Sequence, residues 1–118
     1  MSAFTDPDRE LAAERVAELM RDGNDSWQVI DVREPYEREA GHVPGSRHVE
    51  LEHLASQAGT IDRERPVVFY CRVGSRSAMA TQAFAASGYD AYNLSGGITA
   101  WHAAGLELEP RGGHVADH

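Results

Sequence analysis

The sequence predicts an α/β fold in which a parallel or mostly parallel sheet is covered on both faces by helices. Three observations predict it. Pro66–Ser87 reads PVVFYCRVGSRSAMATQAFAAS: an apolar, β-branched and aromatic run (Val67–Tyr70) fit for one buried strand, a short loop, then the Ala/Met/Phe spacing of a helix. Trp27–Val32, reading WQVIDV, is a second apolar run of strand length. Strand-like and helix-like segments also alternate along the chain with short connections, the pattern of parallel strands joined by crossover helices.

Taken in order, residues 1–8 form a flexible lead-in, with Phe4 as its one anchoring candidate, and a single domain follows over 9–109. Arg9 to Leu11 suits either a short edge strand or the first turn of a helix. AAERVAELMR, from Ala12 to Arg21, puts Ala12, Val16, Leu19 and Met20 on one helical face and Glu14 and Glu18 on the other, with Gly23 as the stop. After Trp27–Val32, Pro35–Ala40 is a short helix with proline at its start. Gly41, Pro44 and Gly45 punctuate a turn that leads into a short strand at Arg47–Val49. Leu51–Ala55 makes one or two helical turns with Leu51 and Leu54 inward, and 57–65 is a polar connection. Gly88 closes the helix after the central strand; Ala91–Leu94 is the last strand; Ser95, Gly96 and Gly97 turn into a helix over Ile98–Ala104 that bears Trp101. The tail 110–118, reading PRGGHVADH, is expected to be disordered, and no internal repeat is present.

Composition narrows the function. With 118 residues the chain makes one domain, and no apolar run approaches the ~18 residues of a membrane span. The acidic start, MSAFTDPDRE, does not resemble a secretory signal, so a cytoplasmic location is expected and no membrane partner. A net charge of −8 disfavours nucleic acid, whose binding rests on neutralising phosphates. All eleven cations are arginine, and Arg72 and Arg76 flank the thiol, a local basic spot suited to a small anion.

Cys71 is the only cysteine, which excludes an internal disulfide, a C-x-x-C redox pair and a cysteine-rich zinc site. Neither a metal nor a cofactor is expected. His114 and His118 stand four apart, but the glycines Gly112 and Gly113 and the tail position argue against a helical metal site. A cysteine must be a thiolate to act as nucleophile or sulfur carrier, and an ordinary thiol titrates near ~8.5. Three features here favour the thiolate: a helix beginning near Ser75 or Arg76, whose unpaired N–H groups face the loop; Gly74, which lets the loop curl tightly; and the two arginines. The Ser77 hydroxyl either caps the helix or bonds the sulfur.

These residues carry a resemblance. The loop Cys71-Arg72-Val73-Gly74-Ser75-Arg76-Ser77 resembles the active-site loop of the single-domain rhodanese sulfurtransferases. Asp31-Val32-Arg33-Glu34-Pro35-Tyr36-Glu37 with Gly41-His42-Val43-Pro44-Gly45-Ser46 resembles that family's upstream signature, and Leu94-Ser95-Gly96-Gly97-Ile98 with Trp101 its C-terminal one. The resemblance implies a three-layer fold around a five-stranded, mostly parallel sheet, a catalytic Cys71 that cycles through a persulfide, and a substrate-binding loop of Arg72, Val73, Gly74, Ser75, Arg76 and Ser77. It implies supporting roles for Asp31, Arg33 and Glu37, in an ion-pair network under the loop, and for His42, in a structural hydrogen bond. The implied partners are a small anionic sulfur donor such as thiosulfate and an acceptor that is cyanide, a thiol or a protein thiol. Arg72 is expected to contact the donor and Arg76 to shape the loop. A persulfide relay serving a partner protein is the nearest alternative. A phosphatase or arsenate reductase is disfavoured, because phosphatase loops of this kind read Cys-x5-Arg, whereas Cys71 and Arg76 are separated by four residues.

Overall fold

The computed structural model describes residues 7–23 and 26–116. Five strands and five helices follow one another as β1 (Glu10–Leu11), α1 (Ala13–Asp22), β2 (Gln28–Asp31), α2 (Pro35–Ala40), β3 (Arg47–His48), α3 (Leu54–Gln57), β4 (Val67–Tyr70), α4 (Ser75–Ala86), β5 (Ala91–Leu94) and α5 (Gly97–Ala103). The sheet order is β1-β5-β4-β2-β3, and every pairing is parallel. Of the stretch Arg9 to Leu11, Glu10 and Leu11 thus form an edge strand, pairing with Asn93 and Leu94, while Arg9 ends a 3-10 turn over Pro7–Arg9.

All four side chains of β4 are buried, as a central strand with both faces covered requires. Its alternation divides the core. Val68 and Tyr70 join Val16 of α1 and Ile98 and Trp101 of α5 on one face, while Val67 and Phe69 join Leu54 of α3 and Ala80 and Phe84 of α4 on the other. The chain leaves β2 toward β3 on one side and leaves β4 toward β5 on the other. A crevice therefore opens beyond the carboxyl ends of β2 and β4, where such sheets hold their sites.

Several details differ from the sequence expectation. In α1 the inward face is Ala13, Val16, Ala17 and Met20, and Ala12 is exposed at the helix start, since neighbouring alanines carry no signal of register. The connection after α3 is not uniformly polar surface, because Ile61 is buried in the core. Met79 of α4 is 43% exposed although it falls within the Ala/Met/Phe pattern of that helix. The lead-in over 1–6, including Phe4, and His118 of the histidine pair lie outside the described residues. The tail, expected to be disordered, is attached over 110–116: His114 N–H donates to Ala40 O at 2.9 Å, and Val115 packs against the α1–α5 face. Just before it, His42 and Glu109 exchange backbone hydrogen bonds of 2.8 Å. Among the described residues no helix is long and apolar enough to cross a membrane.

Candidate active site

Cys71 is fully buried at the carboxyl end of β4. Its sulfur accepts a hydrogen bond from Gly74 N–H at 3.1 Å and one from the Ser77 hydroxyl at 3.4 Å. Gly74 is the N-cap of α4 with φ +102°, a conformation that a residue with a Cβ resists and that curls the loop back onto its own sulfur. The first helical bond runs from Ala78 N–H to Gly74 O, so the N–H groups of Ser75, Arg76 and Ser77 precede the ladder on the side of the thiol. Ser77 makes no cap; its hydroxyl belongs to the sulfur.

The loop is held from two further directions that sequence reasoning missed. Ile98 N–H and Thr99 N–H, in the first turn of α5, donate to Cys71 O and Arg72 O at 2.9 and 3.0 Å. Only glycine fits at position 97, where φ is +61° and a Cβ would stand 2.4 Å from Cys71 O and 2.5 Å from Arg72 O. Asn93 of β5, buried, donates to Gly74 O at 3.2 Å and to both carboxylate oxygens of Glu10. The Ser95-Gly96-Gly97 turn was legible; its grip on the cysteine loop was not.

Arg76 does not reach freely into the site. Its guanidinium donates to Glu37 Oε1 and Oε2 at 2.9 and 3.0 Å, a fork that fixes the side chain. Glu37 is placed by a capping box at the start of α2, where Glu34 N–H donates to Glu37 Oε1 at 3.1 Å and Pro35 opens the first turn. Burial pushes the Glu37 carboxyl up, but the bonds from Arg76 and the Glu34 amide, with the charges of Arg76 and Arg33, hold it below its ordinary value. Arg76 is raised in turn, chiefly through its bonds to Glu37.

Asp31 and Arg33 form a second cluster. Asp31 Oδ1 accepts from Arg33 N–H and Nε at 3.0 and 2.9 Å, and Oδ2 from Arg33, Tyr70 and Arg38 at 2.8, 3.1 and 3.3 Å. Arg33 also donates to Gly41 O, tying β2 to the turn after α2. Burial pulls the Arg33 guanidinium down, yet the Asp31 carboxylate outweighs it and the group is held protonated. The one network expected of Asp31, Arg33 and Glu37 is therefore two clusters, because the Glu37 fork is taken by Arg76. His42 makes its structural contacts, with Nδ1 3.2 Å from Arg38 O and Nε2 3.5 Å from Glu109 Oε1, on the strap formed with Glu109 rather than at the thiol. The half-buried His48 has its ring nitrogen Nε2 2.7 Å from Arg33 O. Of the loop, Val73 is 49% exposed, Ser75 is exposed, and Arg72 is partly buried with its Nε lacking an acceptor among the described residues.

The sequence matches the family Rhodanese-like domain over residues 12–104. The chain belongs to that family. This rhodanese-like domain is 33% identical over 99 residues to the thiosulfate sulfurtransferase GlpE of Pseudomonas aeruginosa, with 83% of this chain and 87% of that protein covered. Its fold is similar to that of a rhodanese-related protein from Thermoplasma volcanium (26% identity, TM-score 0.78, covering 85% of this chain and 96% of that one). It is also similar to a Rhodopseudomonas palustris protein of unknown function, a possible tyrosine phosphatase, with 26% identity, TM-score 0.75, and 86% and 84% of the two chains covered. The five-stranded parallel sheet with helices on both faces is the architecture that the family resemblance implies.

Proposed function

We propose that this rhodanese-like domain is a sulfurtransferase that moves sulfane sulfur from thiosulfate or a similar anionic donor to a thiol or cyanide acceptor through a persulfide on Cys71. The observation that carries the reading is the hydrogen-bonded setting of the lone thiol: Gly74 N–H and the Ser77 hydroxyl donate to Sγ at the start of α4. The likeness to GlpE supports the same chemistry. In the first half-reaction the Cys71 thiolate attacks the outer sulfur of thiosulfate. A new S–S bond forms, the S–S bond of thiosulfate breaks, and its electron pair leaves with sulfite. The amides of residues 72–77 then hold the terminal persulfide sulfur as preorganised donors hold an oxyanion. In the second half-reaction a thiolate or cyanide takes that outer sulfur and the electron pair returns to Cys71, which gives ping-pong kinetics.

Arg72, whose Nε has no acceptor among the described residues, contacts the anionic donor, while Arg76, committed to Glu37, keeps the loop in shape. That commitment also weighs against phosphoryl transfer, as does the separation of Cys71 from Arg76 by four residues. One reduced thiol with no partner cysteine suits the cytoplasm. Intact-mass measurement after thiosulfate treatment tests the reading. A gain of one sulfur atom on Cys71, with thiocyanate formed on adding cyanide and both lost in Cys71→Ser, is expected. Thiocyanate formation undiminished in Cys71→Ser, or release of phosphate from an aryl phosphate at a higher rate, overturns it.

A further inference from the structure

Beside the loop a cavity of about 300 Å³ is walled by Val32, Glu34, Glu50, Leu51, Glu52 and Arg76. Three of these six side chains are carboxylates, and the single arginine is already bound to Glu37, so the cavity carries net negative charge. Among the described residues the only ionic partner of Glu50 and Glu52 within 4.0 Å is His53, at that distance from each. Carboxylates set in a concavity with an apolar wall focus their field outward and select the charge of what approaches.

The surroundings have the scale of a polypeptide contact. Leu51 is shared with a second, apolar groove of about 510 Å³ that runs along α4 past Met79, itself 43% exposed, and Ala83. Tyr36, 43% exposed, lies near enough to Arg72 and Arg76 to feel their charges, and Val73, 49% exposed, stands between those arginines in the loop. A small anionic donor gains nothing from three glutamates in a cavity beside the loop. The acceptor, which enters only after sulfite has gone, is a different molecule.

We propose that this face receives the acceptor, and that the acceptor is a cysteine carried on a basic segment of a partner protein, its cationic side chains lying against Glu50 and Glu52. The proposal rests on the sulfur-transfer reading above. Cationic neighbours would also favour the thiolate of that cysteine, the form that attacks the persulfide. Acceptor thiols flanked by carboxylates are refused by like charge.

The test uses Cys71 persulfide formed beforehand and two peptides of equal length with one cysteine each, flanked by arginines in one and by glutamates in the other. Each rate of persulfide consumption is divided by the same peptide's rate with a small disulfide in the absence of protein, which removes intrinsic thiol reactivity. The expected result is a normalised preference of about tenfold for the basic peptide at low salt, shrinking at ~0.5 M salt. It falls toward unity in Glu50→Gln/Glu52→Gln, and in the same direction in Glu52→Gln alone, a change at a side chain 75% exposed that leaves folding untouched. A normalised ratio near one in the wild type, or a ratio unmoved by these variants, overturns the proposal. Absence of any persulfide on Cys71 by intact mass overturns the sulfur-transfer reading itself, so the two failures are read on separate measurements.

Discussion

Arg76 and Glu37, 39 residues apart in the chain, meet through two hydrogen bonds of 2.9 and 3.0 Å. The pair spans the crevice where the connections from β2 and β4 diverge, and it ties the first turn of α4 to α2. The loop around Cys71 thereby gains a fixed anchor on the opposite side of the crevice.

Glu37→Gln leaves the Arg76 fork facing a neutral amide. Chemical denaturation of the variant is expected to show a loss of about 3 kcal/mol, the scale of breaking a buried pair at one partner. Arg76→Lys keeps the charge but not the fork, and is expected to lose sulfur-transfer activity while recovering part of that stability.

The same carboxylate sets an acid limit. Because folding lowers the Glu37 titration below its ordinary value, its contribution is complete above the unfolded-state value of ~4.3 and is lost as pH falls through the lower folded-state value. Denaturation measured between neutral pH and ~pH 3 should therefore show the wild-type advantage over Glu37→Gln shrinking toward acid. An advantage constant over that range contradicts this origin.

Gly97→Ala drives a methyl group against two carbonyl oxygens at a position where φ is +61°. A loss of at least ~2 kcal/mol is expected, with the persulfide-forming rate falling as the loop is displaced. Gly59→Ala, where a Cβ meets nothing within 4 Å, is the matching control and should change stability by no more than ~0.5 kcal/mol.

Ser77→Ala removes one donor from the sulfur. Stopped-flow measurement of persulfide formation should show a fall of about tenfold, the share of one hydrogen bond to a charged acceptor, ~1.5 kcal/mol. The melting temperature should move little, because Ser77 caps nothing.

Asp31→Asn leaves Arg33, fully buried, beside a neutral partner, and is expected to cost about 3–5 kcal/mol by thermal or denaturant unfolding. Glu18→Gln, which breaks the exposed Arg15–Glu18 pair, should cost no more than ~1 kcal/mol.

What the sequence discloses and what it withholds follow from the range of the interactions. Val67–Tyr70 was legible as a core strand because burial on both faces leaves an unbroken apolar run, and the placing of Cys71 and Gly74 was legible because strand, turn and helix start are local patterns, whereas the partner of the Ser77 hydroxyl stayed open between helix cap and sulfur. Asn93 and Gly97 were not singled out as supports of the loop, since their task depends on β5 lying beside β4. The attached segment 110–116 was hidden for a similar reason: its backbone bond to Ala40 leaves no mark on a glycine-rich, polar composition. In α1 Val16 and Met20 were read on the correct face, but the alanines around them gave no signal of which of Ala12 and Ala13 turns inward.

The hold of Ile98 and Thr99 on the carbonyls of Cys71 and Arg72 has a consequence in time as well as in space. During synthesis the thiol emerges well before the residues that shape its loop, so a chain that ends before Ile98 possesses the nucleophile but lacks the mould around it. The loop around Cys71 therefore takes its shape late, when the last helix docks.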